Sequence, residues 1–97
     1  MKSEQEQIQT FLNNIKDQIM EAKQSYGGCY IAVMDYGGYQ ELDVEVSDGS
    51  IAGSFVCEKS LASARNVADE LAERITAETG CHVYLTRSEW EYALESS

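Results

Sequence analysis

Residues 29–57 read CYIAVMDYGGYQELDVEVSDGSIAGSFVC, and this stretch decides the fold. Residues 29–36 and 39–46 read as two strands, apolar alternating with polar from Glu41 to Val46, the period of a half-buried strand. Between the two runs lies Gly37-Gly38, a dipeptide suited to the positive φ of a two-residue primed turn. With that loop, Tyr36 faces Tyr39 across a hairpin. Cys29, Ile31 and Val33 then meet Val46, Val44 and Leu42, all on one face. Asp48-Gly49 predicts a second primed turn, with Ser47 opposite Ser50. That turn brings Ile51, Gly53 and Phe55 against Val46, Val44 and Leu42. Two independent turn signals select the same inner face, and a slip of one residue would destroy the agreement. The stretch therefore predicts a three-stranded antiparallel meander.

The flanks supply what the inner face needs. Ser3 with Glu6 forms a capping-box pattern. Ile8, Phe11, Leu12, Ile15, Ile19, Ala22 and Tyr26 follow as one apolar stripe at helical spacing. Gly27 and Gly28 are expected to stop this helix, one of them in the left-handed position after the last turn. Ser60 is placed to cap a second helix running to about Thr79. Its stripe is Leu61, Ala64, Val67, Ala68, Leu71 and Ile75, and Gly80 ends it. Residues 81–85 (CHVYL) read as a short fourth strand whose place in the sheet is left open: a right-handed crossover could set it parallel beside either edge strand that permits it. A final short helix, capped at Thr86 or Ser88, carries Trp90, Ala93 and Leu94 on one side. The fold class is α+β: a three-stranded antiparallel meander plus a short fourth strand, with two long helices packed on one face. The order is α-β-β-β-α-β-α, and residues 1–97 form a single acidic domain.

The net charge of −10 is unevenly spread. Residues 29–58 hold Asp35, Glu41, Asp43, Glu45, Asp48 and Glu58 and no base at all. A field of that sign repels nucleic acid and anionic membranes and attracts basic proteins. No apolar run has the length of a membrane span, and the polar N-terminus Met1–Glu6 predicts no secretory signal, hence a cytoplasmic location.

The register that fills the inner face also defines the outer one. Tyr30, Ala32, Met34 and Tyr36 point away from the two long helices, with Glu45, Asp43, Glu41 and Tyr39 directly across. Ala52, Ser54 and Val56 continue that face on the third strand. Neighbouring acids along the strand are about 6.5–7 Å apart. Tyrosine and methionine are enriched in interface cores, while three acids in a row without a base repel one another. A basic partner surface would relieve that repulsion. The competing reading is a plain solvated sheet face.

Catalytic and metal chemistry has little to draw on. Cys29, Cys57 and Cys81 lack the spacing of a disulfide framework or zinc site, and His82 is the only histidine. Adjacent strand residues point to opposite faces, so Cys81 and His82 make no thiolate–imidazole pair. The cysteines read as small buried hydrophobes. Gly53, facing inward mid-strand, predicts close approach of a helix or an aromatic ring. The element order also occurs in double-stranded-RNA-binding domains. Those depend on a basic start to the second helix, where this chain has Glu58-Lys59-Ser60. The sequence thus predicts a non-enzymatic binding protein with no cofactor and no metal. Its docking residues would be Tyr30, Met34, Tyr36, Tyr39, Glu41, Asp43 and Glu45. The partner would be a protein with a basic, nucleic-acid-binding surface. The sharpest form of this expectation is a nucleic-acid-mimicking inhibitor of phage or mobile-element origin, directed at CRISPR or restriction machinery. The alternative is a small structural or adaptor protein that self-associates.

Overall fold

The computed structural model describes residues 3–26, 28–58 and 60–96, with the backbone alone for 23–26. The elements run α1 (Glu4–Tyr26), β1 (Gly28–Asp35), β2 (Gln40–Val46), β3 (Ile51–Cys57), α2 (Leu61–Thr79), β4 (His82–Tyr84) and α3 (Arg87–Ser96). This is the expected α+β order. The strands form one mixed sheet in the order β3-β2-β1-β4, with β4 parallel to β1.

Local signals explain where each helix starts and stops. The Glu6 N–H donates to Ser3 Oγ at 3.2 Å, and the Ser3 hydroxyl lies 3.3 Å from Glu6 Oε1. Ser60 Oγ accepts from the Ser63 N–H at 3.2 Å. Gly80 closes α2 in the left-handed region at φ 74°, its N–H bonded to Thr76 O. α3 begins one residue after Thr86, the earlier of its two expected caps. α1 ends at Tyr26, just before the glycine pair expected to stop it. Gly27 lies outside the described residues, as does the side chain of Tyr26. Gly28 has no positive φ and opens β1 instead. Glycine is needed there for space: a Cβ would sit 2.9 Å from Tyr84 Cε2 and 3.6 Å from Trp90 Cζ3.

α1 and α2 cover one face of the sheet. Ile8, Leu12, Ile15 and Ile19 from α1 meet Ala64, Val67, Ala68, Leu71 and Ile75 from α2. Beneath them lie Cys29, Ile31, Leu42, Val44 and Val46. All three cysteines are buried thiols. A hydrogen bond with Cys81, and then burial, raise the Cys29 thiol above its ordinary range. Gly53 has the expected role, since a Cβ there would come within 2.7 Å of Ile15 Cγ2 and 3.0 Å of Phe11 Cε1. A polar seam joins the helices on their outer side. Arg74 donates to Gln9 Oε1 at 2.9 Å and also to Gln5 Oε1, and Gln9 donates to Glu78 at 3.2 Å.

The first hairpin has the predicted register over its whole length, from Cys29↔Val46 to Asp35↔Gln40. Gly37 takes the positive φ of the primed turn at 88°. The second hairpin follows its predicted register from Gln40↔Cys57 to Val44↔Gly53 and then departs from it. Asp48 has no positive φ, so no type I′ turn forms. Instead the Gly49 N–H donates to Val46 O and the Val46 N–H to Ser50 O, both at 2.9 Å, with Gly49 alone at φ 88°. This is a tight turn followed by a left-handed glycine, and it inserts a bulge between Val44 and Glu45. Asp48 favours that turn: its Oδ1 accepts from the Ser50 N–H at 2.9 Å and the Ser50 hydroxyl at 2.6 Å, which lowers its pKa. The bulge reverses the facing of two residues. Ile51, expected inward against Val46, pairs with Glu45 and is exposed. Ala52, expected outward, packs against the core.

Candidate partner-binding face

The sheet face opposite α1 and α2 is shared between a roofed part and an open part. α3 supplies the roof. Its Trp90 is 2% exposed, stacked on Tyr30 with centroids 6.3 Å apart and tilted against Tyr84 at 5.6 Å. The Trp90 indole N–H donates to Glu45 Oε2 at 2.6 Å. An indole buried this deeply needs such an acceptor. α3 is amphipathic, and α1 and α2 already occupy the inner face, so the outer face is what remains for Trp90 to bury against. Gly28 leaves the room for the Tyr84 and Trp90 rings.

This placement bears on two members of the expected docking set. Tyr30 does lie on the outer face, but Trp90 covers it and leaves it 8% exposed. Glu45 is half-buried with one oxygen committed to the indole. The remaining five come together on the open part. Met34, Tyr36 and Tyr39 are exposed, and Glu41 and Asp43 are half-buried between the flanking strands. Ile51 and Val56 on β3 extend the apolar rim, Val56 being 54% exposed. Ile51 joins this face only because of the bulge. Its tell-tale in the sequence is Asp48-Gly49, a dipeptide that suits a bulged turn as well as a primed one.

The two tyrosines form a platform at the hairpin end. Tyr36 and Tyr39 stack with centroids 5.1 Å apart and planes 17° from parallel. The turn beneath them is braced by Asp35, whose Oδ1 accepts from the Gly37 N–H and from Gln40 Nε2, each at 2.9 Å. Those bonds lower the Asp35 pKa, the Gln40 bond most. The negative charge of Glu41, foremost, raises the Tyr36 phenol pKa, and Asp43 adds to it.

Each carboxylate of the row has a neutral donor. Asp43 accepts from the Ser54 hydroxyl at 2.7 Å, Glu45 from Trp90, and Glu41 from the Tyr36 hydroxyl at 3.5 Å, the limit of such a bond. The ion pairs between described residues, Lys16–Glu78, Arg74–Glu70 and Arg87–Glu91, all lie on the helices. Among the described residues no cation meets the acid row, and the donors that reach it are neutral.

The groups with chemical reactivity are dispersed. His82 lines a groove with Glu73, Thr76 and Val83 beside α2. A separate open cleft of about 590 Å³ runs along α3, lined by Tyr84, Ser88, Glu89 and Tyr92. No cluster of metal-ligating side chains occurs among the described residues. No described helix is long and apolar enough to cross a membrane. Comparison with family models, with curated proteins and with solved structures finds no match to this chain.

Proposed function

We propose that this chain is a non-enzymatic binding protein whose open outer face docks a basic surface of a partner protein. The observation that carries the reading is the pair Glu41 and Asp43, unopposed by any described cation and framed by Met34, Tyr36, Tyr39 and Val56. Aromatic and methionine side chains supply contact area, while the acids supply orientation and steering. In its most specific form the partner surface is one built for nucleic-acid phosphates, which carboxylates of this spacing occupy in their place. A phage- or mobile-element-encoded blocker of CRISPR or restriction machinery is that form. The small size and the net charge of −10 support it.

The test is the double substitution Glu41→Gln with Asp43→Asn. Both changes keep side-chain size, and both remove charge that is self-repelling within the sheet. The tagged wild type and the tagged double variant are used side by side to capture proteins from host lysate. The expected result is retention of basic nucleic-acid-binding proteins by the wild type alone. That retention should disappear at 1 M salt, where the screening length falls to about 3 Å. The same proteins retained on the double variant would leave the acid pair as a solvated feature and end the proposal.

A further inference from the structure

We infer that the free edge of β3 pairs antiparallel with the β3 edge of a second copy of this chain, making one continuous sheet across a two-fold axis. β3 is the terminal strand of the sheet order. Proteins protect such edges with lysine, proline, inward charges or a covering element, because unpaired N–H and C=O groups template another strand. Here Ser50–Cys57 contains no charged residue and no proline. Of such devices the described residues show the bulge at its start.

The direction of each backbone group follows from the ladder. The Tyr36 N–H donates to Tyr39 O, so hydrogen-bonded pairs of β1 and β2 involve the odd-numbered residues of β2. The even-numbered residues of β2 therefore turn their N–H and C=O groups toward β3, and the Val46 N–H to Ser50 O bond agrees. On β3, Gly53, Phe55 and Cys57 bond inward to Val44, Leu42 and Gln40. Ser54 and Val56 aim theirs outward from the sheet. An antiparallel self-pairing centred on Phe55 places Ser54 opposite the partner's Val56, and Val56 opposite the partner's Ser54. All the outward groups of both residues are then bonded, and the bulged residues stay outside the ladder. Phe55, half-buried against Phe11, meets its own copy on the inner face at the close distance of a non-hydrogen-bonded pair.

Charge permits a second copy at this position. A chain of net charge −10 repels itself over most of its surface. The β3 edge offers a charge-free strip from Ser50 to Cys57, so pairing there avoids bringing acids together. The pairing needs no partner on the outer face, and its result would place two copies of that face on one sheet with both open.

Sedimentation equilibrium of the full chain, from low micromolar to millimolar concentration, tests the pairing. The expected result is a monomer–dimer equilibrium. Ser54→Pro removes an outward N–H from each protomer at a position where an edge strand accepts proline. It should weaken dimerisation by about tenfold to a hundredfold. Ser54→Ala removes only the hydroxyl bonded to Asp43 and should leave the dimer unchanged. In the wild type, the Ser54 and Val56 amides should gain protection from hydrogen exchange as concentration rises, a readout that stands even if Ser54→Pro does not fold. A wild type that stays monomeric throughout would overturn the inference. So would a dimer that Ser54→Pro leaves intact, or edge amides whose exchange ignores concentration.

Discussion

Trp90→Ala should release α3 and leave the rest of the domain folded. Trp90 contacts Tyr30, Tyr84 and Glu45, none of which belongs to the central cluster beneath α1 and α2. Truncating a buried tryptophan costs about 3–5 kcal/mol. A domain of ordinary stability has about 5–15 kcal/mol in all. That loss would unfold a marginal domain if it fell on the whole molecule. It falls instead on a C-terminal helix of 10 residues, whose length is marginal for independent helicity. α3 should therefore melt locally, and the penalty to the remaining fold is limited to the exposure of the Tyr30 and Tyr84 rings. Residue-resolved hydrogen exchange checks this: amides of 87–96 should lose protection while those of β1, β2 and α2 keep theirs. Trp90→Phe gives a graded companion. It keeps the ring contacts and loses the indole N–H, a bond to a charged acceptor of about 1.5–3 kcal/mol, reduced here because water reaches half-buried Glu45. Each kcal/mol corresponds to about 4–8 °C in Tm at this size. Global loss of protection in Trp90→Ala would show that α3 belongs to the central cooperative unit. Full protection of 87–96 would show that Trp90 is not its anchor. Either result refutes the division of the molecule into a central core and a separate aromatic roof.

Two further outcomes concern the packing at Gly53 and the charge beside Tyr36. Gly53→Ala should cost about 1–3 kcal/mol through overpacking, because the new methyl lies 2.7 Å from Ile15 Cγ2. Ile15→Leu, which removes that branch, should recover most of the loss in a urea melt; failure to recover it would place the strain elsewhere. Tyr36 should titrate above the ordinary phenol range, since the Glu41 charge raises its pKa. A raised folded-state pKa contributes stability that is complete below the unfolded value and lost as pH rises through the folded one. Glu41→Gln should move this phenol to lower pH in an ultraviolet difference titration against Tyr36→Phe, and an unchanged midpoint would deny the coupling.

The sequence made the inner face legible because two turn dipeptides and a strict alternation constrain each other. Gly37-Gly38 sets the first hairpin without ambiguity, since Tyr36 and Tyr39 can then pair in one way only. Asp48-Gly49 is less decisive. The same dipeptide serves a primed turn or a tight turn with a left-handed glycine, and the choice depends on whether Asp48 takes positive φ. The bonds from Asp48 to Ser50 favour the second, and from there Ile51 and Ala52 exchange faces. On the outer face, strand parity gave the direction of Tyr30 and Glu45 correctly. Their coverage depended on where a helix 45 residues beyond Glu45 would dock, which no local pattern encodes. The hint available was compositional: the single tryptophan sits on a short helix whose apolar side had no surface left to bury against except this one.

The roof changes what the acid row can do. Without α3, Glu45 would stand in water, free to reorient, beside an Asp43 that the Ser54 hydroxyl already holds within the meander. With it, Glu45 is held by the indole N–H as well. These donors are neutral, so they restrict the side chains and leave the charge uncancelled. A binding partner would then meet anionic groups already in position and would not have to order them. Ordering flexible side chains at an interface costs about 0.5–1.5 kcal/mol each, and a preformed row avoids much of that cost. On a solvated face with no partner, fixing like charges near one another only lowers stability. A neutral clamp on an unneutralised carboxylate is what the proposed docking role would use at Asp43, while Glu45 accepts the indole N–H that anchors the roof.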